Sequence, residues 1–119
     1  MLSIYTLPKS SRLLTKADFD LVFTDAKSFR DRKYTLLVRK SDQETARIGF
    51  ILAKKKVRLS VDRNRIRRVV RESFRHWRAE LPIVDMIFIS QPGLASMPNL
   101  KLFPSLDKQW SRIISTMPK

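Results

Sequence analysis

The stretch that decides the fold is residues 48–90, which read IGFILAKKKVRLSVDRNRIRRVVRESFRHWRAELPIVDMIFIS. Its two ends, residues 48–53 and residues 83–90, are short apolar runs with the length of buried β-strands. Between them, over about residues 60–81, apolar side chains recur at the spacing of one helix face. These side chains are Ile66, Val69, Val70, Phe74, Trp77 and Leu81. The stretch therefore predicts a strand, an amphipathic helix and a second buried strand.

A second face of the same helix is rich in arginine. Its members are Arg67, Arg68, Arg71, Arg75 and Arg78. Residues 54–78 hold 11 basic and two acidic side chains, so this window supplies +9 of the formal charge of +14. A solvated helix face is the ordinary alternative, but such a face intersperses both signs. Concentrated arginine, whose planar guanidinium suits phosphates and bases, favours contact with nucleic acid.

The rest of the chain predicts a small α/β domain. A helix is expected to begin after Thr15, its N-cap, with Leu14 packing on Phe19 as a hydrophobic staple. Residues 34–38 and residues 48–53 are predicted to form a hairpin. A closing amphipathic helix is marked by Leu106, Trp110, Ile113, Ile114 and Met117.

These elements follow one another in the order α-β-β-α-β-α, with an additional short strand near Phe29. This order predicts an α/β (α+β) two-layer sandwich. We expect a single RNA-binding domain over residues 1–119, in which residues 1–12 form a loosely ordered N-terminal segment.

The composition excludes several kinds of catalytic site. The chain has no cysteine and one histidine, which excludes disulfides, Cys/His zinc sites and thiol nucleophiles. Asp18, Asp20 and Asp25 are scattered about one helix, and His76 lies off both faces of the basic helix. We therefore predict no catalytic residue and no metal site on the protein alone.

The sequence also predicts where the protein acts. The chain shows no secretory signal and no apolar run long enough to span a bilayer. A cytoplasmic location is expected. Nucleic acid is then the favoured polyanion, with an anionic membrane surface as the weaker alternative and no small-molecule cofactor expected.

Residues 54–75, KKKVRLSVDRNRIRRVVRESFR, resemble a known signature. They are similar to the protein subunit of bacterial ribonuclease P, which has a Lys-Lys pair, a short turn, Arg-Asn-Arg on a helix and then further basic residues and a Phe. The resemblance extends to the flanks, including the first helix and the helix of Trp110. The chain departs from it at Arg58 and Leu59, where many members have a small and a polar residue, and at Leu37, where members often have an aromatic ring.

This resemblance implies a protein cofactor of an RNA-based enzyme. The holoenzyme would remove the 5′ leader of precursor tRNA by Mg²⁺-dependent hydrolysis, with the Mg²⁺ held mainly by the RNA subunit and the protein itself non-catalytic. It also implies a left-handed βαβ crossover from residues 48–53 through the basic helix to residues 85–90, against the usual right-handed rule.

The resemblance further assigns two sets of binding residues. Those expected to bind the RNA subunit are Lys54, Lys55, Lys56, Arg58, Arg63, Asn64, Arg65, Arg67, Arg68, Arg71 and Arg75. Those expected to bind the leader of precursor tRNA, in a cleft between the first helix and the sheet, are Phe19, Phe23, Thr35 and Leu37.

Three alternatives stay open. Phe19 and Phe23 have the spacing of a buried helix face, so either ring could belong to the core instead of a binding cleft. A ribosomal or other RNA-architectural protein would share the charge and the size. A small self-contained ribonuclease would cleave RNA without an RNA partner.

Overall fold

The computed structural model describes Arg12 and residues 15–117. It contains three α-helices and a four-stranded sheet, which confirms the mixed α/β class. In chain order the elements are α1 (Lys16–Thr24), β1 (Lys27–Arg30), β2 (Tyr34–Lys40), β3 (Arg47–Ile51), α2 (Ser60–Trp77), β4 (Val84–Ser90), a 3₁₀ turn (Leu94–Ser96) and α3 (Asn99–Thr116). The short strand expected near Phe29 is β1.

The sheet has the strand order β1-β2-β4-β3. β4 pairs antiparallel with β2 and parallel with β3, and α2 connects the two parallel strands. The predicted strand–helix–strand unit is therefore present, while the left hand of the crossover stays a prediction. Among the described helices, none combines the length and apolarity that crossing a membrane requires.

The predicted hairpin between β2 and β3 is wrong, because β4 lies between these strands. β4 is buried along almost its whole length, so it takes a central position with a neighbour on each side. The hairpin of this sheet joins β1 to β2 instead, where the Asp31 backbone N–H donates to the Tyr34 carbonyl (2.9 Å).

The two faces of the sheet are covered unequally. Leu36 and Val38 point to the face that carries α2 and α3, where Phe74 and Trp110 belong to the main hydrophobic core. The buried Trp110 Nε1–H donates to Ser73 Oγ (2.8 Å) and ties α3 to α2. On the opposite face α1 contributes one buried side chain, Val22, to a much smaller apolar cluster. Part of this second face is therefore left open beside α1.

The structure confirms one predicted helix end and corrects another. Thr15 Oγ1 accepts a hydrogen bond from the Asp18 backbone N–H (3.1 Å), which confirms the predicted N-cap. The proposed staple residue Leu14 lies outside the described residues. α2 ends at Trp77 and not at Leu81, which is buried in the main core after a short turn.

α3 begins at Asn99, before the first apolar marker used to predict it. Pro104 lies inside this helix. A proline removes one backbone donor and normally argues against a helix, so the first turns carry no clear helical signal.

Candidate nucleic-acid interface

The predicted RNA-subunit residues form one region, here called the α2 basic surface. It comprises Lys54, Lys55, Lys56, Arg58, Arg63, Asn64, Arg65, Arg67, Arg68, Arg71 and Arg75. Its three lysines and Arg58 lie in the exposed connection between β3 and α2. Lys56 Nζ donates to Gln91 Oε1 (3.2 Å), so this connection also touches the loop that follows β4.

Two arginines of this surface also hold the protein together. The Arg63 guanidinium donates to the carbonyls of Val57 (2.8 Å) and Arg58 (2.9 Å) and so fixes the turn before α2. Arg65 donates to the carbonyls of Ala95 (3.0 Å) and Met97 (3.1 Å). Carbonyl acceptors carry no net charge, so these hydrogen bonds do not neutralise either guanidinium group.

Arg65 also reaches the beginning of α3. Its Nη1 donates to Asn99 Oδ1 (2.8 Å), and Asp62 lies 3.9 Å from its Nε. The Arg-Asn-Arg pattern pointed to RNA alone. The structure shows a second role, since Arg65 fastens the segment that connects the 3₁₀ turn to α3.

A cluster of three guanidinium groups lies beside β3. Arg12 pairs with Ile48 in an isolated parallel bridge, and Arg71 lies over the Phe50 ring, 5.3 Å from its centroid. Burial lowers the pKa of Arg71, and the nearby charges of Arg12 and Arg67 lower it further. The Nε atoms of Arg12 and Arg71 are buried without a hydrogen-bond partner among the described residues. No sequence pattern singles out Arg12, because its proximity to α2 depends on its position beside β3.

The far end of the α2 basic surface contains its buried acid. Glu72 Oε1 accepts from Arg75 Nη2 (2.9 Å) and lies 2.9 Å from His76 Nε2. The His76 side chain is 62% exposed, as predicted for a surface residue. Within the part of the chain that the structure describes, no group of three or more His, Asp or Glu side chains is placed to hold a metal ion.

A second candidate site lies on the open face of the sheet and is here called the sheet cleft. It is a cavity of about 450 Å³ lined by Ser28, Arg30, Asp31, Arg32, Thr35, Leu37, Ile89, Gln91 and Pro92. Thr35 and Leu37, both predicted from sequence, are thus brought together. Gln91 Nε2 donates to Thr35 Oγ1 (3.3 Å). Arg30 and Arg32 were missed, because Arg30 reaches the cleft through its pairing with Thr35 and Arg32 through the turn that joins β1 to β2.

The two predicted aromatic residues lie on α1, and neither lines the sheet cleft. Phe19 is partly buried and packs against the cluster of Val22 and Ile87, to which Leu37 also belongs. Phe23 is 51% exposed, so it is not a core residue. The helix therefore uses Val22 as its buried contact and presents the Phe23 ring to solvent.

An ion-pair network, here called the Arg47 triad, holds α1 to the sheet. Arg47 donates through Nε and Nη2 to the two carboxylate oxygens of Asp85, both at 2.8 Å. Its Nη2 also lies 3.4 Å from Asp18 Oδ1 on α1. Partial burial opposes ionisation of Asp18, but the hydrogen bonds from Thr15 and the charge of Arg47 outweigh it and lower the pKa of this carboxyl. The triad therefore sets where α1 begins relative to β3 and β4.

The comparisons with known proteins agree on one family. The family model described as Ribonuclease P matches residues 7–114. A ribonuclease P protein component from Legionella pneumophila (strain Lens) is 41% identical over 116 residues, which cover 98% of this chain and 100% of that protein.

Solved structures show the same fold. The Staphylococcus aureus RNase P protein is similar with a TM-score of 0.81 at 24% identity, covering 93% of this chain and 100% of that chain. A Staphylococcus aureus RNase P protein mutant with defective mRNA degradation activity is similar with a TM-score of 0.77 at 25% identity, covering 90% and 87% of the two chains. The family model and the nearly full-length relative show that the chain belongs to the ribonuclease P protein family, the protein component of a bacterial tRNA-processing enzyme.

Proposed function

We propose that this chain is the protein cofactor of ribonuclease P, with one surface for the catalytic RNA subunit and another for the 5′ leader of precursor tRNA. The observation that carries the proposal is the separation of the two candidate surfaces. α2 packs on the face of the sheet that holds the main core, whereas Thr35 and Leu37 of the sheet cleft belong to the opposite face. One domain can therefore contact two RNA molecules at once.

The charge of the α2 basic surface supports binding of the RNA subunit. Its acids, Asp62 and Glu72, are paired with Arg65 and Arg75. Among the described residues no carboxylate lies within ion-pair distance of Arg67 or Arg71. Positive charges that lie together without a counter-ion repel one another, and the phosphates of RNA would supply the missing negative charge. The cluster of Arg12, Arg67 and Arg71 is thus the proposed centre of this contact.

The composition of the sheet cleft supports binding of a single strand. Leu37 and Ile89 provide an apolar wall, and the exposed Arg30 and Arg32 supply positive charge. The half-exposed Phe23 ring stands on the neighbouring helix. Aromatic and cationic side chains beside a groove bind unpaired nucleotides with little sequence preference. A leader of variable sequence requires that kind of recognition.

We further propose that the RNA subunit performs the hydrolysis and holds the Mg²⁺. When bound to RNA, Mg²⁺ would polarise the phosphate and activate water. The residues of this chain would reduce the Mg²⁺ concentration needed, because their positive charge lowers the repulsion between the enzyme RNA and its substrate. The expected place of this activity is the cytoplasm, where precursor tRNA and the RNA subunit would be encountered.

A second candidate function is RNA cleavage by the protein alone. The mRNA degradation activity named for the Staphylococcus aureus protein makes this alternative worth testing. Incubating the purified chain with precursor tRNA and with mRNA over a range of Mg²⁺ concentrations tests it directly. We expect no cleavage without the RNA subunit. Cleavage that persists through purification and disappears when α2 is mutated would favour the protein-only alternative.

Reconstitution tests the main proposal. The purified chain, added to a bacterial ribonuclease P RNA at low Mg²⁺, should restore removal of the leader from precursor tRNA. An RNA-architectural protein would bind RNA without restoring this cleavage, so failure of restoration in the presence of tight binding contradicts the proposal.

Phe23→Ala then tests the sheet cleft. It should weaken the preference for precursor over mature tRNA by about 1–3 kcal/mol, the value of one stacked base, and leave affinity for the RNA subunit unchanged. Leu100→Ala is the matched control, because Leu100 is an exposed apolar residue on α3 (89% exposed). An equal loss in both variants would contradict a leader site beside α1.

A further inference from the structure

A cavity of about 800 Å³ lies at the end of the molecule where α2 and α3 terminate, and is here called the end cavity. It is bounded by the last residues of both helices, the connection between β2 and β3, and the beginning of β4. Its volume is in the range of cavities that bind small organic molecules. It shares only Arg75 with the α2 basic surface and no residue with the sheet cleft.

The floor of the end cavity is the open end of the hydrophobic core. Ala46, Leu81 and Val84 line the cavity and are buried members of the main core. Met117 lines it as well and packs against the same core. An occupant with a flat apolar surface would cover these side chains and remove them from water.

The rim of the end cavity is cationic. Lys27, Lys40, Arg75 and Arg78 line it, against one acid, Glu44. Lys27 and Lys40 have no ion-pair partner among the described residues. Arg75 is paired with Glu72, yet its Nε is buried without a hydrogen-bond partner in the described part of the chain. An apolar floor under a positive rim suits a molecule that joins a planar ring to an anionic group.

The rim is continuous with the end of α2, so RNA bound to α2 could supply such a molecule. Arg75 belongs to the α2 basic surface, and Arg78 follows the last residue of α2. RNA that follows α2 from Arg63 towards its C-terminus would therefore reach the end cavity. Guanidinium groups can both bind phosphate and stack on bases.

We propose that the end cavity receives an unpaired nucleotide of the RNA that lies along α2, with its base on the apolar floor and its phosphate at the cationic rim. This rests on the proposed function, because it requires α2 to bind RNA. It adds a site for one extruded base to a surface otherwise described by phosphate contacts. Such a site would let the protein recognise one particular nucleotide, since phosphate contacts fix the register of the RNA but carry no sequence information.

Filling the end cavity tests the proposal. Thr116 lines the cavity and is exposed, so Thr116→Trp would occupy it without disturbing the core. Ser115→Trp is the matched control, because Ser115 is exposed on the same helix but does not line the cavity. Affinity for the ribonuclease P RNA should fall about five- to a hundredfold for Thr116→Trp, the range expected for loss of one stacked base, and stay within twofold for Ser115→Trp.

A second variant and a chemical probe identify the occupant. Lys40→Ala removes one rim charge at an exposed position and should also weaken binding. Probing of the bases of the RNA subunit should show one unpaired nucleotide that is protected by the parent protein and by Ser115→Trp but reactive with Thr116→Trp. Unchanged affinity and an unchanged protection pattern in both Thr116→Trp and Lys40→Ala would overturn the proposal.

Arg68→Ala separates failure of this inference from failure of the proposed function. Arg68 belongs to the α2 basic surface and does not line the end cavity. If Arg68→Ala weakens RNA binding and the cavity variants do not, the end cavity is not a nucleotide site while α2 still binds RNA. If no variant of either region weakens binding, the proposed function itself fails.

Discussion

Replacing Arg47 with methionine should strongly destabilise the fold, because it leaves a carboxylate buried without its cation. Asp85 is 3% exposed, and both of its oxygens accept hydrogen bonds from Arg47 at 2.8 Å. Breaking a buried ion pair by removing one partner costs about 3–5 kcal/mol. A domain of this size is stable by only about 5–15 kcal/mol, so Arg47→Met should remove a large part of the free energy of unfolding.

The structure also provides the matched variants. Asp18→Asn removes the negative charge from the longer contact of 3.4 Å at a partly exposed position and should cost no more than about 1 kcal/mol. The double variant Arg47→Met with Asp85→Leu should be more stable than Arg47→Met alone, because no charge is then left buried.

Urea denaturation followed by circular dichroism measures these differences in the free energy of unfolding, provided that its dependence on urea concentration has the same slope in every variant. In a thermal scan the single variant should melt roughly 12–20 °C lower, at about 4 °C per kcal/mol. A cost of less than about 1 kcal/mol for Arg47→Met, or a double variant no more stable than the single one, would refute the stabilising role of this buried ion pair.

Three further predictions concern charge and chemistry. Arg67→Ala should weaken binding to the RNA subunit and reduce the slope of log affinity against log salt by about one unit with little change in stability, because Arg67 bonds to Asn64 on its own helix. Arg65→Ala should also lower the melting temperature, because its bonds to the Ala95 and Met97 carbonyls are lost. Filter binding at several salt concentrations and a thermal scan separate the two effects. Burial raises the pKa of Tyr34 to about 12, so the parent should lose up to about 3 kcal/mol of stability as pH rises from 10 through 12. Urea titrations at each pH should show that Tyr34→Phe removes this loss. Equal alkaline sensitivity of both proteins would contradict the prediction. His76→Ala should leave single-turnover cleavage by saturating holoenzyme within a few-fold of the parent, since loss of a general base costs about 10²–10⁴ in rate, and a hundredfold loss would assign chemistry to the protein.

The parts of the fold that local periodicity encodes were predictable. The apolar positions Ile66, Val70 and Phe74 repeat at helical spacing, and they are buried against the sheet as predicted. The N-cap at Thr15 was readable for the same reason, because a cap depends on residues within one turn. Strand pairing depends on partners distant in sequence, so β4 between β2 and β3 could not be read from either strand alone.

The candidate sites also have features that the sequence predicts and features that only the fold reveals. The sequence predicts which residues carry charge, because the basic window is contiguous, but it does not reveal which guanidinium groups the fold already uses. Arg63 and Arg65 donate to carbonyls contributed by the turn before α2 and by the segment before α3. Arg12 comes close to the α2 basic surface only because it pairs with β3. Arg30 lines the sheet cleft only because β1 pairs with β2.

This division changes how substitutions on α2 should be interpreted. A helix of arginines suggests that each one contributes a similar phosphate contact, so loss of binding on any substitution would be counted as a lost contact. Arg65 is bonded to three residues outside its own helix, so its removal shifts the segment before α3 as well as the local charge. Arg67 bonds only to Asn64 on its own helix in the described contacts, so its removal changes the electrostatics with little effect on packing. Affinity changes at Arg67 therefore report on RNA contact, whereas those at Arg65 do so only after the change in stability has been measured and subtracted.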